Sequence, residues 1–109
     1  MLTVDRTTLR QKLERNDNFL LIDVLPKDEF KKDHIEGSIN IPVEDKDFVK
    51  RVERKARSKN HEIVVYCGGL DCSASHNAAQ KLKDADFTNV KTYEGGMAEW
   101  KEYRKSMAA

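Results

Sequence analysis

The chain lacks the long hydrophobic runs, the charge imbalance and the cysteine content that mark several protein classes. Its apolar runs are only a few residues long, whereas about 20 residues are needed to cross a bilayer, so we expect no membrane span. Twenty lysines and arginines stand against nineteen aspartates and glutamates, and this balance predicts no binding surface for nucleic acid. Two cysteines are too few for a disulfide-held secreted fold, and no apolar leader follows Met1, so we expect a cytoplasmic protein.

Short apolar runs alternate with helical patterns along the chain. Runs rich in β-branched or aromatic residues predict strands buried on both faces, at 19–24, 39–41, 62–66 and 90–93. Amphipathic helical patterns lie before, between and after these runs, beginning near Asp5, Pro26, Asp45, Ser73 and Met97. This alternation predicts an α/β fold in which a small doubly wound parallel sheet is flanked by helices on both faces. A chain of 109 residues is expected to form a single domain.

The segment after the third predicted strand is the strongest candidate for chemistry, because ligands bind beyond the carboxyl ends of parallel strands. There Cys67 is followed by Gly68 and Gly69 and then by a helical pattern. A helix N-terminus stabilises a thiolate, and two glycines let backbone amides turn inward around an anion. Cys67 is therefore a candidate nucleophile for sulfane sulfur, held anionic by backbone donors at the open edge of the sheet. The alternative is a small apolar residue that closes a buried strand.

Three motifs in order span nearly the whole chain: LLIDVLPKDEFKKDHIEGSINIP at 20–42, VVYC at 64–67 and YEGGMAEWK at 93–101. Together they resemble the signatures of the rhodanese-like domains. The resemblance implies a single rhodanese-like domain over residues 1–109 that transfers sulfane sulfur through a persulfide on Cys67, without a cofactor. It implies a small sulfur-containing donor and a thiol or cyanide acceptor. It also implies that Asp23 braces the site, and that an amide cradle is formed by Gly68, Gly69, Leu70, Asp71, Cys72 and Ser73.

The chain departs from the usual pattern of this family at positions that bind oxyanions. Leu25 stands where the family usually has arginine, and no arginine occurs in the loop at 67–73. A guanidinium fork is the usual means of gripping an oxyanion, so a polysulfide, a persulfide or a protein-bound donor is at least as plausible as thiosulfate. A phosphatase of related fold needs Cys-(x)5-Arg, and Ser73 occupies the arginine position, which excludes that chemistry.

Several residues keep two interpretations from the sequence alone. Cys72 is either a resolving thiol for Cys67, which would make the pair a redox switch or sulfur relay, or a loop residue that points into the core. His76 either donates to a bound anion or lies on the surface, and Asp23 either orients loop donors or caps the turn after its strand. The basic residues between 50 and 59 form either a solvated helix face or a docking surface for an acidic sulfur-carrier protein. The scattered histidines and cysteines have no metal-ligand spacing, so we expect no metal.

Overall fold

Five parallel strands form one sheet in the computed structural model of the chain, which describes residues 2–108. The strands are β1 (Leu2–Thr3), β2 (Leu20–Asp23), β3 (Ile39–Asn40), β4 (Ile63–Tyr66) and β5 (Val90–Tyr93). The helices are α1 (Arg6–Glu14), α2 (Lys27–Lys32), α3 (Phe48–Lys55), α4 (Ala74–Asp84) and α5 (Gly96–Ala108). The strand order β1-β5-β4-β2-β3 places β4 at the centre of the sheet and confirms the predicted doubly wound α/β fold.

The central strand β4 is apolar throughout because helices cover both faces of the sheet. All four of its side chains are fully buried. Ile63 and Val65 pack in one core cluster with residues of α3 and α4, whereas Val64 and Tyr66 pack in a second cluster with residues of α1 and α5. A continuous apolar run is the pattern expected of a strand with no solvent-facing side, since successive side chains point to opposite faces.

The predicted elements differ from the observed ones in three places. The edge strand β1 was missed because it is only two exposed residues long and is recognised by its pairing with β5. The third helix starts at Phe48 rather than at Asp45, because the amide of Asp45 donates to the carbonyl of Pro42 and closes a turn there. The last helix starts at Gly96, one residue before the predicted start near Met97, and continues to Ala108. Among residues 2–108, no helix is both long and apolar enough to cross a membrane.

Strand register fixes which segments meet at the functional edge of the sheet. Asp23 in β2 is paired with Tyr66 in β4, and Tyr66 is paired with Tyr93 in β5. Because these strands are parallel, the three segments that follow them leave the sheet at the same level. The loop that begins at Cys67 is therefore flanked by the segments after β2 and after β5.

Candidate functional site

Cys67 directly follows the central strand, and its side chain lies on the α3 and α4 side of the sheet. It packs in the same core cluster as Val65 and Ala78 and is 1% exposed. The sequence predicted an open sulfur at this edge, so its burial is a correction. The sulfur is covered because the chain turns back over it immediately afterwards.

A tight turn brings Cys72 onto Cys67. The amide of Cys72 donates to the carbonyl of Gly69 over 3.0 Å, which reverses the chain direction within four residues. The Cα atoms of Cys67 and Cys72 are 6.4 Å apart, and a disulfide bond joins the two side chains. Cys72 is half-buried and also packs against the edge of the core cluster, so both interpretations of this residue describe part of its environment. The structure thus represents the oxidised state of the pair, in which neither sulfur is a thiolate.

The outer part of the loop is open to solvent. Leu70 is 82% exposed, and Asp71 and Ser73 are exposed as well. Within residues 2–108, the amides at 68–71 donate to no backbone carbonyl, and the side chain of Ser73 makes no capping hydrogen bond at the start of α4. Free amides beside a helix N-terminus are the groups that bind anions in proteins. Of the predicted cradle, the amides at 68–71 are therefore available as donors, whereas the amide of Cys72 already donates to the carbonyl of Gly69. The cradle itself stays a prediction.

The first turn of α5 fixes the other side of the loop. The amide of Met97 donates to the carbonyl of Cys67, and the amide of Ala98 donates to the carbonyl of Gly68, each over 2.9 Å. A Cβ placed on Gly69 would come within 3.3 Å of the Ala98 side chain, so the loop lies tightly on the helix. These contacts hold the backbone of Cys67, and no sequence pattern indicated them directly.

Asp23 caps the turn after its own strand, and no hydrogen bond among residues 2–108 joins its side chain to the Cys67 loop. It is completely buried, and its Oδ1 accepts a hydrogen bond from the amide of Leu25 over 2.9 Å. Its register partner is Tyr66, so its side chain lies on the face of the sheet opposite the Cys67 side chain. Burial raises the pKa of this carboxyl group, and the bond from Leu25 opposes that rise only in part. The geometry agrees with the turn-capping interpretation.

His76 lies in the first turn of α4 and pairs with the residue after β5. Its Nε2 is 3.8 Å from Oε2 of Glu94, and its side chain is 48% exposed. The ring therefore lies at the surface beside a carboxylate, as in the second interpretation of this histidine. Among the basic residues at 50–59, Arg51 pairs with Asp45 and Lys59 pairs with Glu53, an arrangement typical of a solvated face.

A family model described as the rhodanese-like domain matches residues 5–103. The chain belongs to the rhodanese-like domain family. A crystal structure of the Alr3790 protein from Anabaena sp. has 30% sequence identity and a TM-score of 0.80, and the match covers 92% of this chain and 86% of that one. The rhodanese-like fold proposed from the three sequence motifs is thereby confirmed.

Two curated relatives show that this rhodanese-like domain also occurs within longer proteins. The HTH-type transcriptional regulator Rv0324 of Mycobacterium tuberculosis is 33% identical over 89% of this chain, and the match covers 42% of the regulator. The adenylyltransferase and sulfurtransferase UBA4 of Meyerozyma guilliermondii is 31% identical over 79% of this chain, and the match covers 21% of that protein. The chain thus spans less than half the length of either relative.

The rhodanese-like loop of this chain differs from an oxyanion-binding site in its charge. No lysine or arginine occurs at 67–73, and Asp71 contributes a negative charge. Glu94 adds another carboxylate next to His76. The loop at 67–73 therefore carries no positively charged side chain, and its charged side chain is the carboxylate of Asp71.

Proposed function

We propose that this rhodanese-like domain is a sulfurtransferase that carries sulfane sulfur as a persulfide on Cys67. The observation that supports it most directly is the position of Cys67, at the carboxyl end of the central strand and at the start of a loop whose amides at 68–71 have no backbone acceptor. Such amides stabilise a thiolate or a persulfide anion. Relatives whose names include sulfurtransferase support the same chemistry.

The reaction begins from the reduced pair. The Cys67 thiolate attacks the outer sulfur of a donor R–S–SH, the sulfur–sulfur bond of the donor breaks, and R–S⁻ leaves with the electron pair. The product is a Cys67 persulfide, which deprotonates and is held by the loop amides. A thiol or cyanide then attacks the outer sulfur and restores the Cys67 thiolate. A reducing compartment such as the cytoplasm supplies the dithiol form that this cycle needs.

The donor class follows from the charge of the loop. Thiosulfate is a dianion, and the loop offers it no guanidinium while Asp71 repels it. A persulfide or polysulfide presents less charge and needs only sulfur access and a few amide donors. We therefore propose these species, including a persulfide carried on another protein, as the preferred donors.

Steady-state transfer to cyanide tests this function. Reduced protein with a low-molecular-weight polysulfide is expected to produce thiocyanate, and Cys67→Ser is expected to reduce the rate to that of the uncatalysed reaction. The matched control is the same wild-type protein with its disulfide intact, which is expected to be inactive until a thiol reductant is added. Equal rates for wild type and Cys67→Ser would reject the proposal.

The disulfide itself favours a second candidate function, a redox switch that carries no sulfur. In that case mild peroxide would convert the Cys67–Cys72 pair into the observed disulfide, while sulfane donors would leave the thiols unmodified. The two candidates are separated by the mass of reduced Cys72→Ser after treatment with a polysulfide in the absence of oxygen, because this variant cannot form the Cys67–Cys72 disulfide. A gain of one sulfur atom supports the sulfurtransferase, and an unchanged mass supports the switch.

A further inference from the structure

The backbone holds Cys67 and Cys72 at a separation that permits a disulfide bond. The two Cα atoms are 6.4 Å apart, within the range of about 4.4–6.8 Å seen for disulfides. The turn from Gly69 to Cys72 sets this separation by a backbone hydrogen bond, and the amides of Met97 and Ala98 hold the other end of the loop. The thiol of Cys72 in the reduced protein is thereby kept within bonding reach of the Cys67 sulfur.

This placement gives a Cys67 persulfide two competing sites of attack. Transfer to an acceptor requires attack on the terminal sulfur. Cys72 reaches the inner sulfur, because that is the atom to which the structure bonds it. An attack within the same loop has a high effective concentration, so it competes well with acceptors in solution.

We infer that Cys72 resolves the Cys67 persulfide and releases its terminal sulfur as hydrosulfide. The inference rests on the proposed persulfide on Cys67. The Cys72 thiolate attacks the inner sulfur, the bond between the inner and terminal sulfurs breaks, and hydrosulfide leaves with the electron pair and a proton. The two cysteines are oxidised to the Cys67–Cys72 disulfide, and the zero-valent terminal sulfur is reduced to sulfide. No other oxidant takes part in this step.

The difference in burial between the two cysteines indicates which of them a thiol reductant attacks when it reduces the disulfide. Cys67 is 1% exposed, whereas Cys72 is half-buried at the edge of the core cluster. A low-molecular-weight or protein thiol therefore attacks Cys72, forms a mixed disulfide there and expels Cys67 as a thiolate. A second thiol then releases Cys72. Expelling Cys67 is favourable because the loop amides stabilise its anion, and a more acidic thiol is a better leaving group.

The whole cycle reduces sulfane sulfur to hydrosulfide at the expense of two thiols. The substrate class is a persulfide or polysulfide. When Cys72 attacks before an acceptor does, the product is free sulfide rather than a sulfur atom passed to that acceptor. A protein with Cys67 alone would hold its sulfur until an acceptor arrived. Cys72 thus changes the fate of the sulfur, and its effect is visible in a single turnover.

A single-turnover experiment under anaerobic conditions tests this inference. The reduced protein is treated with a low-molecular-weight persulfide, separated rapidly from excess donor and left without thiol, and intact mass and free sulfide are followed over time. Wild type is expected to release one hydrosulfide per chain and to end as the disulfide, two hydrogens lighter than the dithiol. Cys72→Ser is expected to retain the added sulfur and to release sulfide only after a thiol is added.

A matched control moves the thiol by one residue. Cys72→Ser combined with Ser73→Cys keeps the composition of the loop, but residue 73 begins the helix and lies outside the turn that seats Cys72. This variant is expected to retain the persulfide, as Cys72→Ser does. Release at the wild-type rate would contradict a specific role for Cys72.

The remaining outcomes separate the two proposals. A wild-type persulfide that persists without releasing sulfide overturns the resolving role of Cys72 and leaves the sulfurtransferase proposal intact. A disulfide that forms without an equivalent amount of hydrosulfide also overturns it, because the pair would then have been oxidised directly. Failure of both wild type and Cys72→Ser to gain sulfur on Cys67 overturns the proposed function and this inference together.

Discussion

Gly96 lies directly against the backbone of Cys67. A Cβ at Gly96 would stand 2.5 Å from the carbonyl oxygen of Cys67 and 2.8 Å from the amide nitrogen of Gly69. The backbone of Gly96 also has a φ of +57°, a conformation that side chains other than glycine rarely adopt. The start of α5 can approach the loop this closely only because residue 96 has no side chain, and that approach lets the amide of Met97 reach the Cys67 carbonyl.

Gly96→Ala is expected to destabilise the fold by about 1–3 kcal/mol, because it combines a strained backbone conformation with an overlap against the loop. The rate of sulfur transfer is expected to fall by more than the loss of folded protein explains, because the loop must move away from α5. Gly68→Ala is the matched control for stability, because a Cβ there would meet no atom within 4 Å. Urea denaturation of both variants checks the difference, and equal losses of stability would contradict this close packing of α5 on the loop.

Asp71→Arg is expected to shift the donor preference towards thiosulfate. The substitution removes a negative charge from the loop and adds a guanidinium that can bind an oxyanion through two hydrogen bonds. We expect kcat/KM for thiosulfate to rise about tenfold relative to that for a persulfide, since about 1.4 kcal/mol of added binding corresponds to this factor. Asp71→Ala separates the loss of the negative charge from the gain of hydrogen-bond donors. If the ratio of kcat/KM for thiosulfate to kcat/KM for a persulfide is unchanged in Asp71→Arg, charge is not the basis of the choice of sulfur donor.

Leu70→Ser is expected to weaken sulfur transfer from a persulfidated carrier protein more than transfer from a low-molecular-weight persulfide. Leu70 is 82% exposed at the tip of the loop, so it is positioned to be buried by a protein that docks over Cys67. Burying a leucine contributes about 1.5–3 kcal/mol, which corresponds to a rise in KM of about tenfold or more for the protein donor. Kinetics with both donors provide the check. Equal effects on the two would show that Leu70 makes no contact specific to a protein partner.

Asp23→Asn is expected to gain stability relative to wild type as pH rises. Burial raises the pKa of Asp23 above its ordinary value of 3.8, so the folded state binds a proton more tightly than the unfolded state does. The free energy of unfolding of wild type therefore loses this contribution as pH increases from 3.8 through the folded-state pKa. Asparagine keeps an oxygen that can accept a hydrogen bond from the amide of Leu25, but its side chain does not ionise in this pH range.

Urea denaturation of both proteins across this pH range measures the effect as a difference. Subtracting the free energy of unfolding of wild type from that of the variant removes the contributions of other carboxylates, such as Glu62. Burial raises the pKa of Glu62, but its hydrogen bonds with Lys12 and Lys91 outweigh that effect and lower it. A difference that does not change with pH would contradict the burial of a charged Asp23. A difference that falls as pH rises would mean that folding lowers the pKa of Asp23 instead of raising it.

The sheet was predictable from the sequence because its strands carry their own signal. Three strands are short, mostly apolar runs in which every residue except Leu20 and Lys91 is buried: Leu20–Asp23, Ile63–Tyr66 and Val90–Tyr93. Burial on both faces demands such a composition. The strand β1 was not predictable in the same way. Its two residues are exposed, and what defines them as a strand is backbone pairing with Lys91 and Thr92, far away in the sequence.

The chemistry of the site was predictable only in part. Spacing placed Cys67 at a strand end before a helix, and the structure has it there. The disulfide was one of two interpretations of Cys72. The two cysteines are five residues apart in the sequence, and they meet only because the turn from Gly69 to Cys72 brings them together. The sequence also left open the face of the sheet that Asp23 occupies, which depends on the register of β2 against β4.

Intact-mass analysis of the reduced protein tests the central claim most directly. Wild type, Cys67→Ser and Cys72→Ser are each treated anaerobically with a persulfide or polysulfide, and the modified residue is located by peptide mapping. A sulfurtransferase that works through Cys67 is expected to gain one sulfur atom on that residue, most persistently in Cys72→Ser and not at all in Cys67→Ser. No gain with any sulfane donor, or the same gain in Cys67→Ser, would contradict it.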